Sequence, residues 1–378
     1  MSMFRAVPAS PAGAPAACRD RLVEVERLEW RVGDGGDPAA IAEDFARRHD
    51  RPHGEGGACG VALLVSAAAG AVMVGGATGA PSPAPAVPDL ALVAYEHGPR
   101  REAPVPGPFA VGPWRPSWTG ADHAKAVVAV QEAIARGQVY VANVVGHRSA
   151  PWSGDPAAAA AAVAGVAGAT WGGVLSGEDW LVASGSPECF LTVEGPNAAA
   201  YPIKGTAPAT ARGRRELIAS VKERAEHVMI VDLGRNDLAQ VAVPGTVAVQ
   251  DLFALRRWAD LWQAESTVTA RLEPGTGLAA VLRAMCPPGS VTGTPKLAML
   301  DLVGALEPVG RGPAMGAFGF VQGDRIRLGV TIRTLALDAT HAHLWAGGGI
   351  TWRSEAEDEV AEAETKAAAI ARALEAAA

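Results

Sequence analysis

The sequence predicts an α+β fold. Short apolar runs bounded by Gly and Pro alternate with helical patterns along all 378 residues. Their order follows no regular strand-helix-strand beat and no internal repeat of fixed period, which argues against a doubly wound parallel sheet. No linker divides the chain, so residues 21–378 read as one domain behind a disordered Ala/Pro-rich segment at 1–20.

The runs at 22–30, 61–66, 71–75 and 90–95 read as strands. Residues 38–48, opening on Pro38, read as a helix, and the four prolines of 81–88 mark a loop. Ala, Val and Ile at helical spacing make 118–136 a helix, with Thr119 as its N-cap and Gly137 as its stop. A strand follows at 138–145. The uncharged stretch 157–175 is nearly all Ala and Gly, whose gain on membrane insertion is far below that of Leu, so it reads as a helix over 155–166 running into a glycine turn. Strands at 180–184, 189–193 and 198–203 precede a long helix over 214–240 and a strand at 246–251. A helix over 293–306, two strands around Phe318 and Val330, and a final helix over 354–377 complete the chain.

A formal charge of −7 without basic clusters argues against nucleic acid or an anionic membrane as a partner. Pro8, Pro11 and Pro15 interrupt any secretory apolar core. Cys18, Cys59, Cys189 and Cys286 lack metal-type spacing and read as thiols of a reducing, cytoplasmic compartment.

The chemistry concentrates in the C-terminal half. Lys204 stands in the turn Pro202-Ile203-Lys204-Gly205-Thr206, with Glu188 of Ser186-Pro187-Glu188 upstream. A lysine fixed by Pro and Gly beside a carboxylic acid is equipped to attack a substrate that loses a hydroxyl. A surface lysine in a β-turn is the plain alternative. Glu223 and Glu226 lie three apart on a helix, as do Glu359 and Glu362, so each pair shares a helical face. Each pair alone reads equally well as solvated surface; two pairs together could supply the hard oxygens that Mg²⁺ takes. Arg333 offers a planar fork for a carboxylate. Gly347, Gly348 and Gly349 read as an anion-binding turn of backbone N–H groups with no Cβ in the way. Thr292 and Lys296, in the turn opening the 293–306 helix, add a hydroxyl and a charge.

These segments, together with Lys222-Glu223-Arg224-Ala225-Glu226-His227 and Pro288-Gly289-Ser290-Val291-Thr292-Gly293-Thr294-Pro295-Lys296, resemble the chorismate-utilising enzymes from about Gly137 to Ala377. The resemblance implies the anthranilate synthase component I fold: two large antiparallel sheets packed face to face and wrapped by helices, with the site between them. It further implies that Glu226 and Glu362 hold Mg²⁺ with Glu223 and Glu359 behind them, that the metal takes the ring carboxylate of chorismate, and that Arg333 takes the enolpyruvyl carboxylate. Gly205, Thr206, Thr292, Lys296, the three glycines and Lys366 would surround the substrate. The plain role of Lys366 is an i,i+4 ion pair with Glu362.

Four departures narrow the reading within the family. Ala314, in Arg311-Gly312-Pro313-Ala314-Met315-Gly316, stands where the family usually has a tyrosine that contacts the enolpyruvyl carboxylate. Val141 stands where isochorismate and salicylate synthases carry the lysine that activates water. Lys204 replaces the usual alanine of anthranilate synthases, and Gln263-Ala264-Glu265-Ser266 replaces their His-Leu-Val-Ser. The last two imply a Mg²⁺-dependent aminodeoxychorismate synthase component I, a transaminase-class enzyme acting through a covalent lysine intermediate, with folate or a specialised product downstream. No cysteine lies in a glutaminase-type elbow, so a separate glutamine amidotransferase subunit is expected to supply ammonia, and no fused aromatising lyase is expected. Anthranilate synthase component I and 2-amino-2-deoxyisochorismate synthase remain alternatives, as does a non-catalytic binding protein on the same scaffold.

Overall fold

The computed structural model describes residue 14 and residues 22–50, 58–99, 105–258 and 261–376. Apart from Ala14, the segment expected to be disordered at 1–20, with Cys18, lies outside the described residues. The chain opens with β1 (Leu22–Trp30), α1 (Pro38–Arg48), β2 (Ala58–Val65), α2 (Ala67–Met73), β3 (Leu90–His97), β4 (Phe109–Val111), β5 (Arg115–Pro116) and α3 (Gly120–Ala135). It continues through β6 (Val141–Gly154), α4 (Pro156–Ala164), β7 (Gly173–Ser176), β8 (Leu181–Ser184), β9 (Cys189–Glu194), β10 (Asn197–Ala200), β11 (Ile203–Pro208), α5 (Ala211–Ala219) and α6 (Val221–Ala239). Then come β12 (Ala248–Trp258), β13 (Leu261–Arg271), α7 (Leu278–Met285), β14 (Gly293–Thr294), α8 (Lys296–Leu306), β15 (Ala317–Gln322), β16 (Arg325–Val330), β17 (Thr334–Leu337), β18 (His341–Ile350) and α9 (Ala356–Glu375).

The strands form two antiparallel sheets. One has ten strands in the order β1-β3-β2-β15-β16-β9-β10-β13-β11, with β12 also on β13; the other has eight, β14-β6-β18-β17-β8-β7, with β4 and β5 on β6. Their inner faces share the main core. Leu63, Leu92, Leu191, Phe318 and Leu328 of the larger sheet bury against Val145, Leu175, Val182, Ala336 and Trp345 of the smaller. Burial on this scale is the main favourable term in holding the sheets together. The outer face of the smaller sheet is covered by α9 and α4, through Ile370, Ala371, Leu374 and Val163. Among the described residues no helix is long and apolar enough to cross a membrane.

Local signals placed several elements well. The side chain of Asp37 accepts from Ala39 N at 3.0 Å with Pro38 next, and Thr119 Oγ1 accepts from Asp122 N at 3.1 Å. Asp155 caps α4 in the same way. Other expectations are corrected. The 71–75 run is the last turn of α2 and its exit, not a strand, with the helix capped by Ser66 Oγ on Ala69 N; an apolar run of Ala, Gly and Val has no period to separate strand from buried helix. The expected 214–240 helix is two helices, because Ser220 ends α5 and its hydroxyl then caps α6 at Glu223 N. The 198–203 strand is two, β10 and β11, both paired to β13. Nothing in the sequence reading anticipated β13, α7, β17 or β18 as separate elements.

One buried ion pair joins several of these parts. Glu307 and Arg311, 6% and 8% exposed at their side chains, meet in two bonds: Arg311 Nε to Glu307 Oε2 at 2.8 Å and Nη2 to Oε1 at 2.6 Å. The remaining groups are satisfied too. Arg311 donates to Val291 O and Asn143 O, and Glu307 Oε1 accepts from Val145 N. Arg311→Met leaves a buried carboxylate without its partner, so it is expected to lower unfolding stability by about 3–5 kcal/mol in urea titration, whereas Glu307→Leu with Arg311→Met together recovers most of that loss.

Candidate active site

Where β11 meets β13 the register slips between Ile203 and Thr206, so Lys204 and Gly205 sit in a bulge. Gly205 has φ 97°, and a Cβ there would press on Leu217 Cδ1 at 3.1 Å and Glu223 Oε2 at 3.2 Å. The bulge is braced from α6. His227 Nδ1 donates to Lys204 O at 2.9 Å, and because a carbonyl can only accept, Nε2 is left to accept from Ser266 Oγ at 2.5 Å. Burial lowers the His227 pKa, which suits this neutral form.

Lys204 faces a cavity of about 450 Å³ between the sheets. Its ammonium lies 3.4 Å from Glu226 Oε2, with Lys222 on the other oxygen at 4.0 Å. Glu188, 7% exposed just before β9, lines the same cavity. Burial pushes its carboxyl up to about 7, against a hydrogen bond with Ser290 and the charge of Lys204. At neutral pH a substantial fraction of it therefore carries a proton to give.

Opposite Lys204, α9 presents Glu359 and Glu362. Glu362 pairs with Lys366 at 2.7 Å, as the i,i+4 spacing predicts, and Lys366 Nζ also donates to Gly347 O at 2.8 Å. Burial works to raise Glu362, but the charge and hydrogen bond of Lys366 bring it below the usual carboxylate range. Burial raises Glu359, despite its bond from Ser354 Oγ, and with Glu226 beside it burial raises Glu223. All four carboxylates of the two acidic pairs reach one cavity. Among the described residues no three His, Cys, Asp or Glu side chains already converge as ligands on one point. Mg²⁺ needs only one or two carboxylates with water and substrate oxygens, so the donor set fits that ion.

Arg333 and Thr206 also line the cavity. Arg333 holds a left-handed backbone, φ 50°, uncommon for a residue with a Cβ, and its Nη1 reaches Ala167 O at 3.5 Å. Gly347, Gly348 and Gly349 are not the turn that was expected. They are part of β18, facing Val145, Val144 and Asn143 across the ladder, because a glycine-only run hides the strand pattern of its flanks. Gly347 and Gly349 reach the cavity wall. Gly348 does not, yet a Cβ there would lie 2.7 Å from Glu359 Oε2, so its lack of a side chain is what admits the carboxylate.

Two expected anchors lie elsewhere. Lys296 pairs with Asp237 at 3.2 Å and donates to the carbonyls of Ala284 and Met285. Thr292 Oγ1 is spent on Pro288 O at 2.5 Å, and the residue borders a separate small cavity beside Arg311. Ala314 is buried and does not line the cavity; Met315 does. Sequence reasoning missed Asn143 and Ser290 as lining residues and did not foresee the His227 brace. Ser290 and His227 stood within quoted motifs, but only the fold shows which way their side chains face.

The sequence model for chorismate binding enzymes matches residues 50–372. The chain is 38% identical over 200 residues to anthranilate synthase component 1 of Streptomyces coelicolor, covering 51% of this chain and 39% of that protein. It is 33% identical over 283 residues to aminodeoxychorismate synthase component 1 of Salmonella typhimurium, covering 73% and 62%. The match thus spans less than two thirds of either relative. The crystal structure of anthranilate synthase component I from Streptococcus pneumoniae TIGR4 superposes with a TM-score of 0.81 over 93% of this chain and 92% of that one at 21% identity, a likeness of fold alone.

Because His227 ties α6 to both Lys204 O and Ser266, His227→Leu is expected to speed amide hydrogen exchange in β11 by roughly tenfold or more, the equivalent of losing one to two hydrogen bonds of ~1 kcal/mol each. Unchanged exchange in β11 removes the brace from the account.

Proposed function

Because the chain belongs to the family of chorismate-binding enzymes, we propose that it joins chorismate and ammonia to give 4-amino-4-deoxychorismate. One observation carries this choice within the family: the position that holds an amine, Lys204, faces the same cavity as a buried acid, Glu188, whose proton is available near neutral pH.

Neutral Lys204 Nζ forms a bond to C2 of the ring, the ring double bonds shift toward C4, and the C4–O bond breaks as Glu188 hands its proton to the departing oxygen. Water leaves. The lone pair of ammonia then bonds to C4, the double bonds shift back, and the C2–Nζ bond breaks to restore Lys204. One proton of the added nitrogen returns to Glu188, so acid and nucleophile both end as they began. Val141 supports amination over water addition: a Cβ at Gly349 would lie 3.6 Å from Lys204 Nζ, 3.6 Å from Asn143 Oδ1 and 3.7 Å from Val141 Cγ2, and neither an amide nor a valine offers a base.

Glu226 and Glu362 would hold Mg²⁺, with Glu223 and Glu359 behind them. Bound there, the ion supplies positive charge to neutralise the acidic cluster and to receive the ring carboxylate. Arg333 is the cation left for the enolpyruvyl carboxylate, and Ala314 contributes nothing to it. Ammonia is proposed to come from a separate glutamine amidotransferase subunit. Burial raises the thiols of Cys189 and Cys286, the latter to about 12, so neither supplies the thiolate that glutamine hydrolysis needs.

The likeness to anthranilate synthase component 1 at 38% identity keeps that activity as the second reading. Product analysis separates them. Mass spectrometry after incubation with chorismate, Mg²⁺ and ammonium should find aminodeoxychorismate; anthranilate in its place overturns the proposal. With ammonia withheld, intact-protein mass spectrometry should find a chorismate-derived adduct that Lys204→Ala abolishes.

The acid step depends on protonated Glu188, so the rate of adduct formation should fall as pH rises through about 7. Glu188→Gln should remove that limb and slow the step by roughly 10²–10⁴-fold. Glu226→Gln and Glu362→Gln should each raise the Mg²⁺ concentration for half-maximal activity, and activity that survives EDTA unchanged removes the metal from the proposal.

A further inference from the structure

Among the described residues, one buried side-chain acceptor is left without a hydrogen bond, Gln263 Oε1. The residue is 5% exposed and lines the cavity that holds Lys204 and Glu188. It lies on β13 opposite Thr206, next to the bulge that carries Lys204. An amide oxygen stripped of water and left unpaired is costly, so a group in this position calls for a donor brought by a ligand.

Among the described residues no donor in the cavity bonds to this oxygen, the Thr206 hydroxyl across the ladder included. Lys204 and Lys222 lie on Glu226, Lys366 on Glu362 and Gly347 O, and Arg333 on Ala167 O. Under the function proposed above, on which this inference rests, two ligands enter. Chorismate brings two carboxylates, an ether oxygen and one O–H, and that hydroxyl is lost as water before nitrogen is added. Ammonia brings three N–H donors and a lone pair that must stay free for C4. A neutral amide oxygen suits it better than a carboxylate, because a carboxylate binds ammonium more strongly and so favours the form with no lone pair.

We propose that Gln263 Oε1 accepts an N–H of the incoming ammonia and holds it beside the lysine-bound ring intermediate. The residue acts in the second half of the reaction only. It forms and breaks no covalent bond.

The test uses the protein with ammonium as nitrogen donor. Gln263→Met keeps the side-chain length and removes the acceptor. It is expected to raise the KM for ammonium tenfold or more while leaving the KM for chorismate and the rate of adduct formation without ammonia within twofold. In H₂¹⁸O, water should capture the waiting intermediate instead, so label should enter the C4 hydroxyl of recovered chorismate faster than with the unaltered protein. An unchanged ammonium KM overturns the proposal. So does a slower adduct or a raised chorismate KM, either of which assigns Gln263 to chorismate. If Gln263→Met does not accumulate as folded protein, Gln263→Glu keeps the shape: its adduct should form at the unaltered rate with ammonia capture down tenfold or more, and capture at the unaltered rate overturns the idea. Failure of the unaltered protein to form adduct and amine removes the underlying function, whereas normal product with an unmoved ammonium KM removes Gln263 alone.

Discussion

The pairing of Glu307 with Arg311 is the constraint on which the cavity wall rests. Both charges are taken out of water, which is unfavourable unless every remaining donor and acceptor is met. They are met by the backbone: Asn143 O and Val145 N of β6, and Val291 O of the turn that carries Ser290. The pair therefore sets the position of β6 relative to that turn. β18 lies on β6, so Gly347 to Gly349 inherit their place from it, and with them the approach of Glu359 and the anchor for Lys366. The opposite wall is set by His227, which locks the Lys204 bulge to β13.

Between those walls, similar carboxylates end with different proton affinities. At Glu188 burial prevails over the Ser290 hydrogen bond and the charges of Lys204 and Lys366. Glu362 is much more exposed and shares a helix turn with Lys366, so the charge and hydrogen bond of that lysine prevail over what burial it has. An acid that keeps its proton near neutrality and a carboxylate that stays ionised are thereby produced from one residue type. The same contrast separates the proposed proton donor from Glu362, one of the proposed metal ligands.

Much of the site was readable because its parts sit in short motifs with a chemical rationale. The i,i+3 spacing put Glu223 with Glu226 and Glu359 with Glu362 on common helix faces, and both pairs reach the cavity. The lysine of the Pro-Ile-Lys-Gly-Thr turn reached it too. The failures share a cause. Lys296 and Thr292 sit in a motif of the right composition, but side-chain direction is a property of packing: Asp237 on another helix takes the lysine, and a local carbonyl takes the hydroxyl. Gln263 was noticed as an unusual residue and not as an unpaired acceptor, since that depends on what surrounds it.

The sequence by itself determined the α+β class, the capped helices, the nature of the reactive groups and the spacing within each motif, because these follow from periodicity, capping chemistry and residue type over a few neighbouring positions. Only the tertiary structure decided that the acid, the amine and the two acidic pairs face one another, that the glycine run is a strand, and that Ser220 divides a helix. Those outcomes depend on contacts between segments far apart in the chain, and a local pattern carries no information about which distant side chain will supply a charge, a carbonyl or an empty space.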